Sequence, residues 1–142
     1  MKFNEIDRDR WDAWRPYLDT CLLPVTGLAG DEPPWRAAEV LRRLRDRLEP
    51  LEIAFYGRTV TFPAFHYVFG ESGGEDWKRA LRGLCGAIRA QGFRYVVVVT
   101  DVSLAAEEVA ADLVVGPSEG ADWAAEIRRL WRGEDVTKNA TF

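Results

Sequence analysis

The chain has 142 residues, of which 47% are apolar and 30% charged, as in a soluble globular protein of one domain with its own hydrophobic core. Its formal net charge of −4 argues against nucleic acid as the main partner, because binding to phosphates requires a basic surface. No apolar run reaches the roughly 20 residues of a membrane-spanning helix, and no apolar signal segment follows the first residues, so we expect a cytoplasmic protein that does not bind membranes.

The first elements along the chain are a helix, a strand and a long helix. Asp7 is suited to cap a helix that carries Trp11, and residues 17–25 form an apolar run that predicts strand one. Residues 31–34, Asp-Glu-Pro-Pro, start a second helix, because acids favour the positive end of a helix and proline fits its first turn, and leucines at helical spacing continue it. Pro50 is expected to interrupt this helix, because proline removes a hydrogen bond of the helix backbone.

The segment before Gly57 allows two interpretations. Residues 51–56 fit either a short helix that ends at Gly57 or a strand of a hairpin, and we expect the helix. Residues 59–69 are rich in β-branched and aromatic side chains and predict strand two. Pro63 lies within this strand and cannot donate a backbone hydrogen bond, which predicts an edge position or a bulge.

The second half contains the strand on which the fold assignment depends. Ser72 and Glu75 match the capping box of a third helix, which Gly92 ends. Residues 93–101 then include four consecutive valines, which as a strand must be covered on both faces. Such a strand belongs in the middle of a parallel sheet with helices on both sides.

The last elements are short. Ser103 can cap an alanine-rich helix, residues 113–116 predict strand four, and residues 118–122 open the final helix. Residues 134–142 have no periodic pattern, so we expect a single domain over residues 1–133 followed by a flexible tail.

Strands and helices thus alternate four times behind a leading helix, which predicts right-handed crossovers and a parallel sheet. We therefore expect a three-layer α/β domain whose four-stranded, mostly parallel sheet carries helices on both faces. The expected strand order is 2-1-3-4, a Rossmann-like or flavodoxin-like order with strands one and three in the centre.

Three short motifs in the first half of the chain resemble those of a known family. They are Trp-Asp-Ala-Trp-Arg-Pro-Tyr-Leu-Asp-Thr-Cys-Leu-Leu-Pro at residues 11–24, Gly57-Arg58, and Phe-Pro-Ala-Phe-His-Tyr at residues 62–67. Together they resemble the YpiF-like family, a group of uncharacterised proteins from spore-forming bacteria. The resemblance implies no known activity and no functional residue, and it favours a helix before Gly57.

Motifs that carry well-known chemistry are absent from the sequence. No loop contains Gly-x-Gly-x-x-Gly or Gly-Lys-Ser/Thr, and acidic residues at the helix starts oppose phosphate binding, so no nucleotide or other cofactor is expected. The single histidine, His66, lies within strand two rather than in a loop, where a hydrolase triad would need it. Cys21 and Cys85 lie among apolar residues and are expected to be buried, without a disulfide scaffold or a metal site.

Any ligand or partner of such a sheet is expected at the carboxyl ends of the strands. Three tryptophans open helices near this edge, after loops with acidic residues. They either seal the core or form an aromatic rim for a cationic or amphipathic partner. The candidate residues of this edge are Thr26, Trp35, Trp77, Asp101, Ser118 and Trp123.

Two functions of different classes are compatible with these residues. The first is a non-catalytic interaction or regulatory module that binds a protein partner or a second copy of itself, which the absence of catalytic motifs favours. The alternative is a small-molecule-binding domain or enzyme in which Asp101 acts as acid, base or metal ligand. A pocket that gathers Asp101, Ser118 and Thr26 would favour the alternative, and a large exposed apolar patch would favour the first.

Overall fold

The structure is a computed structural model that describes residues 1–66, 75–118 and 120–136, together with the backbone of residues 139–140. Its elements in chain order are a 3₁₀ helix Phe3–Glu5, α1 Arg8–Trp14, β1 Thr20–Val25, α2 Pro34–Ala54, β2 Thr59–Thr61, α3 Glu75–Ala90, β3 Tyr95–Thr100, β4 Leu104–Ala105, α4 Ala106–Val109, β5 Leu113–Val115, α5 Trp123–Trp131 and β6 Asn139–Ala140. The predicted capping of α3 by Ser72 lies outside the described residues. Within them, no helix is long and apolar enough to cross a membrane.

The main sheet has four parallel strands in the order β2-β1-β3-β5. Because β4 lies outside this sheet, β5 is its fourth strand along the chain, and the predicted order 2-1-3-4 is confirmed. Strand β3 pairs with β1 along its whole length and with β5 over Val97–Val99, so β3 is central. All four of its valines are fully buried, as a strand covered on both faces requires.

The side chains of β1 and β3 alternate between two cores, because successive residues of a strand point to opposite faces. Leu23 and Val98 belong to the core under α1, α3 and α4. Leu22 and Val97 belong to the core under α2 and α5. Helices therefore cover both faces of the sheet, and the predicted three-layer α/β fold is confirmed.

Helix α2 continues through Pro50, so the predicted interruption at this residue is wrong. Pro50 removes the hydrogen bond to the carbonyl of Asp46, at a typical cost of about 3 kcal/mol. Because Pro50 is exposed, water can solvate that carbonyl, while Leu48 and Leu51 on either side are buried in the core. Packing of this apolar face holds the helix together across the proline.

The segment before Gly57 forms a helix, as expected, rather than a strand of a hairpin. Residues 51–54 belong to α2, and β2 pairs in parallel with β1. The carboxylate of Glu52, in the last turn of α2, accepts a hydrogen bond from Thr61 Oγ1 at 2.8 Å. This bond ties the end of the helix to β2.

Strand β2 is much shorter than the predicted strand of residues 59–69, of which 67–69 lie outside the described residues. Pro63 has no backbone N–H to donate, so the regular ladder ends before it. Beyond the proline, the N–H of Phe65 donates to the carbonyl of Pro24 at 2.8 Å, and pairing with β1 resumes briefly. Strand β2 lies at the edge of the sheet, which confirms the edge position predicted from the proline.

Two short strands outside the main sheet were not predicted. Strand β4 pairs in the antiparallel direction with β6. As a result, Ala105 rather than Ser103 precedes α4, and the N–H of Ala105 donates to Glu108 Oε1 at 2.9 Å. Strand β6 lies within the tail predicted for residues 134–142, and the flexibility of that tail stays a prediction.

Candidate functional site

The carboxyl ends of the four parallel strands meet at one edge of the sheet, where folds of this kind bind ligands. Thr26 follows β1, Phe62 follows β2, Asp101 follows β3 and Gly116 follows β5. The candidate residues predicted from the sequence lie in or beside the segments that leave this edge. The contacts of these residues differ, and the contacts determine which chemical role each residue can have.

Thr26 joins the end of β1 to the segment that follows β2. Its side chain is 3% exposed, and its Oγ1 lies 3.1 Å from Nδ1 of His66 and 3.4 Å from the carbonyl oxygen of Phe65. The backbone N–H of Thr26 also donates to the Phe65 carbonyl, at 3.0 Å. The hydroxyl is therefore engaged in structural hydrogen bonds, and it brings the single histidine to this edge.

Asp101 forms an ion pair with Arg47 of α2. The Arg47 Nη2 donates to Asp101 Oδ1 at 2.6 Å, and the two side chains are 22% and 25% exposed. Arg47 Nε is buried and has no hydrogen-bond partner among the described residues. An unsatisfied buried donor typically costs about 1–3 kcal/mol, and the ion pair through Nη2 does not remove that cost. The pair ties the end of β3 to α2.

The three polar candidates do not share a site among the described residues. The N–H of Ser118 donates to the carbonyl of Gly116 at 2.9 Å, and no hydrogen bond in the described part of the chain joins its hydroxyl to Thr26 or Asp101. The cavity beside Thr26 is lined by neither Asp101 nor Ser118. Among the described residues, the cavity beside Thr26 therefore does not gather the three side chains whose convergence would favour an enzyme.

The three tryptophans at helix starts lie in different environments. Trp77 is 7% exposed and belongs to the core between α3 and the sheet, so it seals that core. Trp123 is half-buried, and its Nε1 donates to the carbonyl of Gly116 at 3.0 Å. Trp35 is 66% exposed in the first turn of α2. Of the three, only Trp35 exposes most of its surface to solvent, and the predicted contact of a partner with these tryptophans stays a prediction.

A groove runs along one flank of α2, and the N-terminal segment and the carboxyl end of β2 form its other wall. It consists of two neighbouring cavities of about 260 and 270 Å³ that share Lys2, Arg45 and Glu52. The first is also lined by Phe3, Thr26, Leu41, Leu48, Phe62 and Pro63, and the second by Glu5, Glu49, Ile53 and Tyr56. We refer to this surface, from Leu41 to Tyr56, as the α2 groove.

The α2 groove gathers most of the exposed large apolar side chains. In the described part of the chain these are Phe3, Tyr17, Trp35, Leu41, Ile53 and Tyr56. Four of these six, Phe3, Leu41, Ile53 and Tyr56, line the α2 groove, and they are 43–72% exposed. Single exposed apolar residues are ordinary, but several around one groove are typical of an interaction surface.

The charges of the groove are divided along its length. In its middle, the side chains of Lys2 and Arg45 form no hydrogen bond or ion pair with another described residue. At one end, the hydroxyl of Tyr56 donates to Glu5 Oε2 at 2.9 Å, and this bond raises the pKa of Tyr56. The carboxylates of Glu5, Glu49 and Glu52 line the same cavities, so the groove presents charges of both signs beside an apolar floor.

The sequence contained one signal for this surface that the helical pattern could have revealed. Ile53 lies nine residues after Leu44, which at about 100° per residue places it on the opposite side of α2 from that core leucine. An isoleucine opposite the buried stripe is either exposed or covered by a partner. Leu41 gave no such signal, because its spacing matches the buried stripe although it is 43% exposed.

Metal binding has no support in the part of the chain that the structure describes, where no three His, Cys, Asp or Glu side chains cluster suitably. No protein-family model matches the chain, and no curated protein or solved structure is similar to it at a significant level. The resemblance to the YpiF-like family therefore stays a prediction based on three short motifs.

Proposed function

We propose that this domain is a non-catalytic protein-interaction module, and that its α2 groove binds an amphipathic helical segment of a partner protein. The observation that carries the proposal is the concentration of four exposed apolar side chains around one groove. Burial of such side chains by a partner stabilises a complex by roughly 25 cal/mol for each Å² of apolar surface removed from water.

A helix fits this groove better than an added strand. The outer edge of β2 is already engaged, because the N–H of Thr61 donates to the carbonyl of Met1 at 2.8 Å and Lys2 bridges to Thr61. Leu41 and Ile53 are twelve residues apart on α2, so they span about 18 Å at 1.5 Å per residue. About three turns of a partner helix cover that length, with apolar anchors every three or four residues.

The charges of the groove constrain the partner further. Lys2 and Arg45 lie in the middle of the groove without an ion-pair partner among the described residues. We therefore expect the partner helix to place an acidic side chain at Lys2 and Arg45, and no acidic side chain beside the carboxylate of Glu49, which lines the same groove. Such a contact gives register and specificity more than affinity.

The contacts of the polar candidates support a role without catalysis. Asp101 is held in its ion pair with Arg47, and the Thr26 hydroxyl is engaged with Phe65 and His66. These side chains tie the carboxyl ends of strands to neighbouring elements. The alternative of an enzyme with Asp101 as acid, base or metal ligand gains no support from this arrangement.

Site-specific photo-crosslinking tests the proposal. The photoreactive residue p-benzoylphenylalanine is placed at Ile53 in the α2 groove, and at Tyr17 as a control that is equally exposed but outside it, in cells that express the protein naturally. We expect a protein adduct from position 53 and none from position 17, with the crosslinked peptide coming from an amphipathic helix. Equal labelling from both positions would refute the groove as the binding surface.

A matched pair of variants measures the contribution of the groove. A synthetic peptide of the crosslinked helix should bind the Leu41→Glu variant at least about tenfold more weakly, because a carboxylate replaces an apolar side chain that the partner helix would bury. Tyr17→Glu should leave its affinity unchanged. Adducts between two copies of this chain, with a concentration-dependent dimer in sedimentation velocity, would overturn the partner helix and indicate self-association.

A further inference from the structure

A third cavity, of about 270 Å³, lies between the N-terminal segment, α1 and the edge of the sheet. Its floor is formed by Val60 and Phe93, which are 2% and 4% exposed. The half-buried side chains of Ile6, Trp11 and Phe62 form its walls. We refer to it as the α1 cavity.

The aromatic rings of the α1 cavity hold one another in place. Trp11 stacks on Phe93 with ring centroids 5.6 Å apart, and the edge of Phe62 meets Phe93 at 5.3 Å and 89°. Rings in these arrangements are stabilised beyond their area of contact. The cavity therefore has a preformed apolar wall, as small-molecule sites usually do.

The mouth of the α1 cavity carries one acidic and one basic side chain, of which the acidic one is already engaged. Its polar lining residues are Asp7, Arg8 and Gln91. Asp7 caps α1 through the N–H of Arg10 at 2.8 Å and lies 3.6 Å from the Nε of Arg10, so its charge is compensated. Arg8 forms no hydrogen bond or ion pair with another described side chain. Arg15, stacked on Trp11 at 5.8 Å, adds a second cation nearby.

We propose that the α1 cavity binds a small apolar carboxylate, with its apolar body against Trp11, Phe62 and Phe93 and its carboxylate at the guanidinium of Arg8. The volume of the α1 cavity lies just below the roughly 300–1,000 Å³ of sites for drug-sized ligands, so the cavity fits an acid with a short apolar chain. A guanidinium with a free face pairs with a carboxylate through two parallel hydrogen bonds. This ligand site is independent of the partner proposed for the α2 groove, although Phe3 and Phe62 line both surfaces.

Three probes with the same six-carbon chain test the charge selectivity: hexanoate, 1-hexanol and hexylamine, each titrated calorimetrically into the full chain. We expect hexanoate to bind about tenfold more tightly than hexanol, and hexylamine to bind most weakly, because the charged hydrogen bond to Arg8 is made only by the acid. Amide chemical-shift changes in nuclear magnetic resonance spectra should be concentrated at Val60 and Phe93.

Three variants complete the test, each with its fold checked by circular dichroism. Arg8→Gln should reduce the affinity for hexanoate to that for hexanol, whereas Arg43→Gln, which removes the same charge from an exposed position of α2, should leave it unchanged. Ile6→Trp should fill the cavity and weaken all three probes. Equal affinities for acid and alcohol, unchanged binding to Arg8→Gln, or no binding of hexanoate at the cavity would each overturn the proposal.

Discussion

Replacing Gly27 by alanine tests how closely the carboxyl edge of the sheet is packed. Gly27 follows Thr26 at the end of β1 and has a φ of 73°, in the left-handed region that favours glycine. A Cβ at this position would lie 2.6 Å from Cγ2 of Val102, the second residue after β3. Carbon atoms in contact are usually about 3.5–4.0 Å apart. Val102 is β-branched, so its side chain cannot easily rotate away.

Two effects add up in the Gly27→Ala variant. The left-handed backbone costs an alanine about 1–2 kcal/mol, and the overpacking against Val102 costs typically about 1–3 kcal/mol. We therefore expect the free energy of unfolding to fall by about 2–5 kcal/mol. Gly133 provides a matched control, since its φ is 74° and an added Cβ would meet no atom within 4 Å. Gly133→Ala should cost only the backbone contribution.

Urea unfolding of the single and double variants separates the two effects. In a Val102→Ala background, which removes the clashing methyl group, the penalty of Gly27→Ala should fall to that of Gly133→Ala. Equal penalties for the two glycine variants in the wild-type background would refute the close approach. So would a Gly27→Ala penalty that is unchanged when Val102 is replaced.

Three further predictions concern reactivity, exposure and pH. Burial raises the pKa of Cys85 to about 11 and also raises that of Cys21. Iodoacetamide at about pH 8 should therefore label neither thiol until urea unfolds the protein. Labelling of either cysteine in the native protein, measured by mass spectrometry, would contradict this burial. Trp35→Phe should remove most of the iodide-quenchable tryptophan emission, because this ring is 66% exposed, and unchanged quenching would contradict that exposure. The N–H of Ala29 donates to the carboxylate of Glu32, and this hydrogen bond lowers the pKa of Glu32 below the ordinary value of 4.5. The stability that the ionised carboxylate contributes should therefore be present above pH 4.5 and be lost as the pH falls through the lower pKa of the folded state. Glu32→Gln should then flatten the dependence of the urea midpoint on pH in this acidic range, and an unchanged dependence would assign it to other groups.

The fold could be predicted where one physical requirement dominated a segment. Four adjacent valines in β3 leave no polar face, so burial on both sides, and with it a central parallel strand, follows from the sequence. Pro50 shows the opposite case, because a local cost of about 3 kcal/mol was outweighed by the packing of Leu48 and Leu51 on the same sheet. The balance between a local cost and distant packing cannot be calculated from neighbours along the chain.

The α2 groove could not be predicted because its two sides are distant in sequence. Phe3 belongs to the N-terminal segment, and Leu41 and Ile53 belong to α2, yet they line one surface. Phe3 and Leu41 were each compatible with a core position on their own, and only Ile53, opposite the core leucine Leu44, signalled exposure. The bridge between Lys2 and Thr61 holds the N-terminal segment at the edge of the sheet, where it lines the groove together with α2.

The exposure of Trp35 follows from its position on α2. Arg47 contacts Asp101, the first residue after β3, so this part of α2 is close to the carboxyl edge. Trp35 lies twelve residues earlier, about 18 Å further along the helix at 1.5 Å per residue. The first turns of α2 therefore lie towards the carboxyl edge of the sheet, at the end of the helix farthest from the contact of Glu52 with β2. Trp77 also opens a helix, but α3 places it against the sheet, and it is buried. Trp35 also lies nine residues before Leu44, which at about 100° per residue places it, like Ile53, on the side of α2 opposite that core leucine. Its exposure therefore has a local cause in the helical pattern as well as a tertiary one.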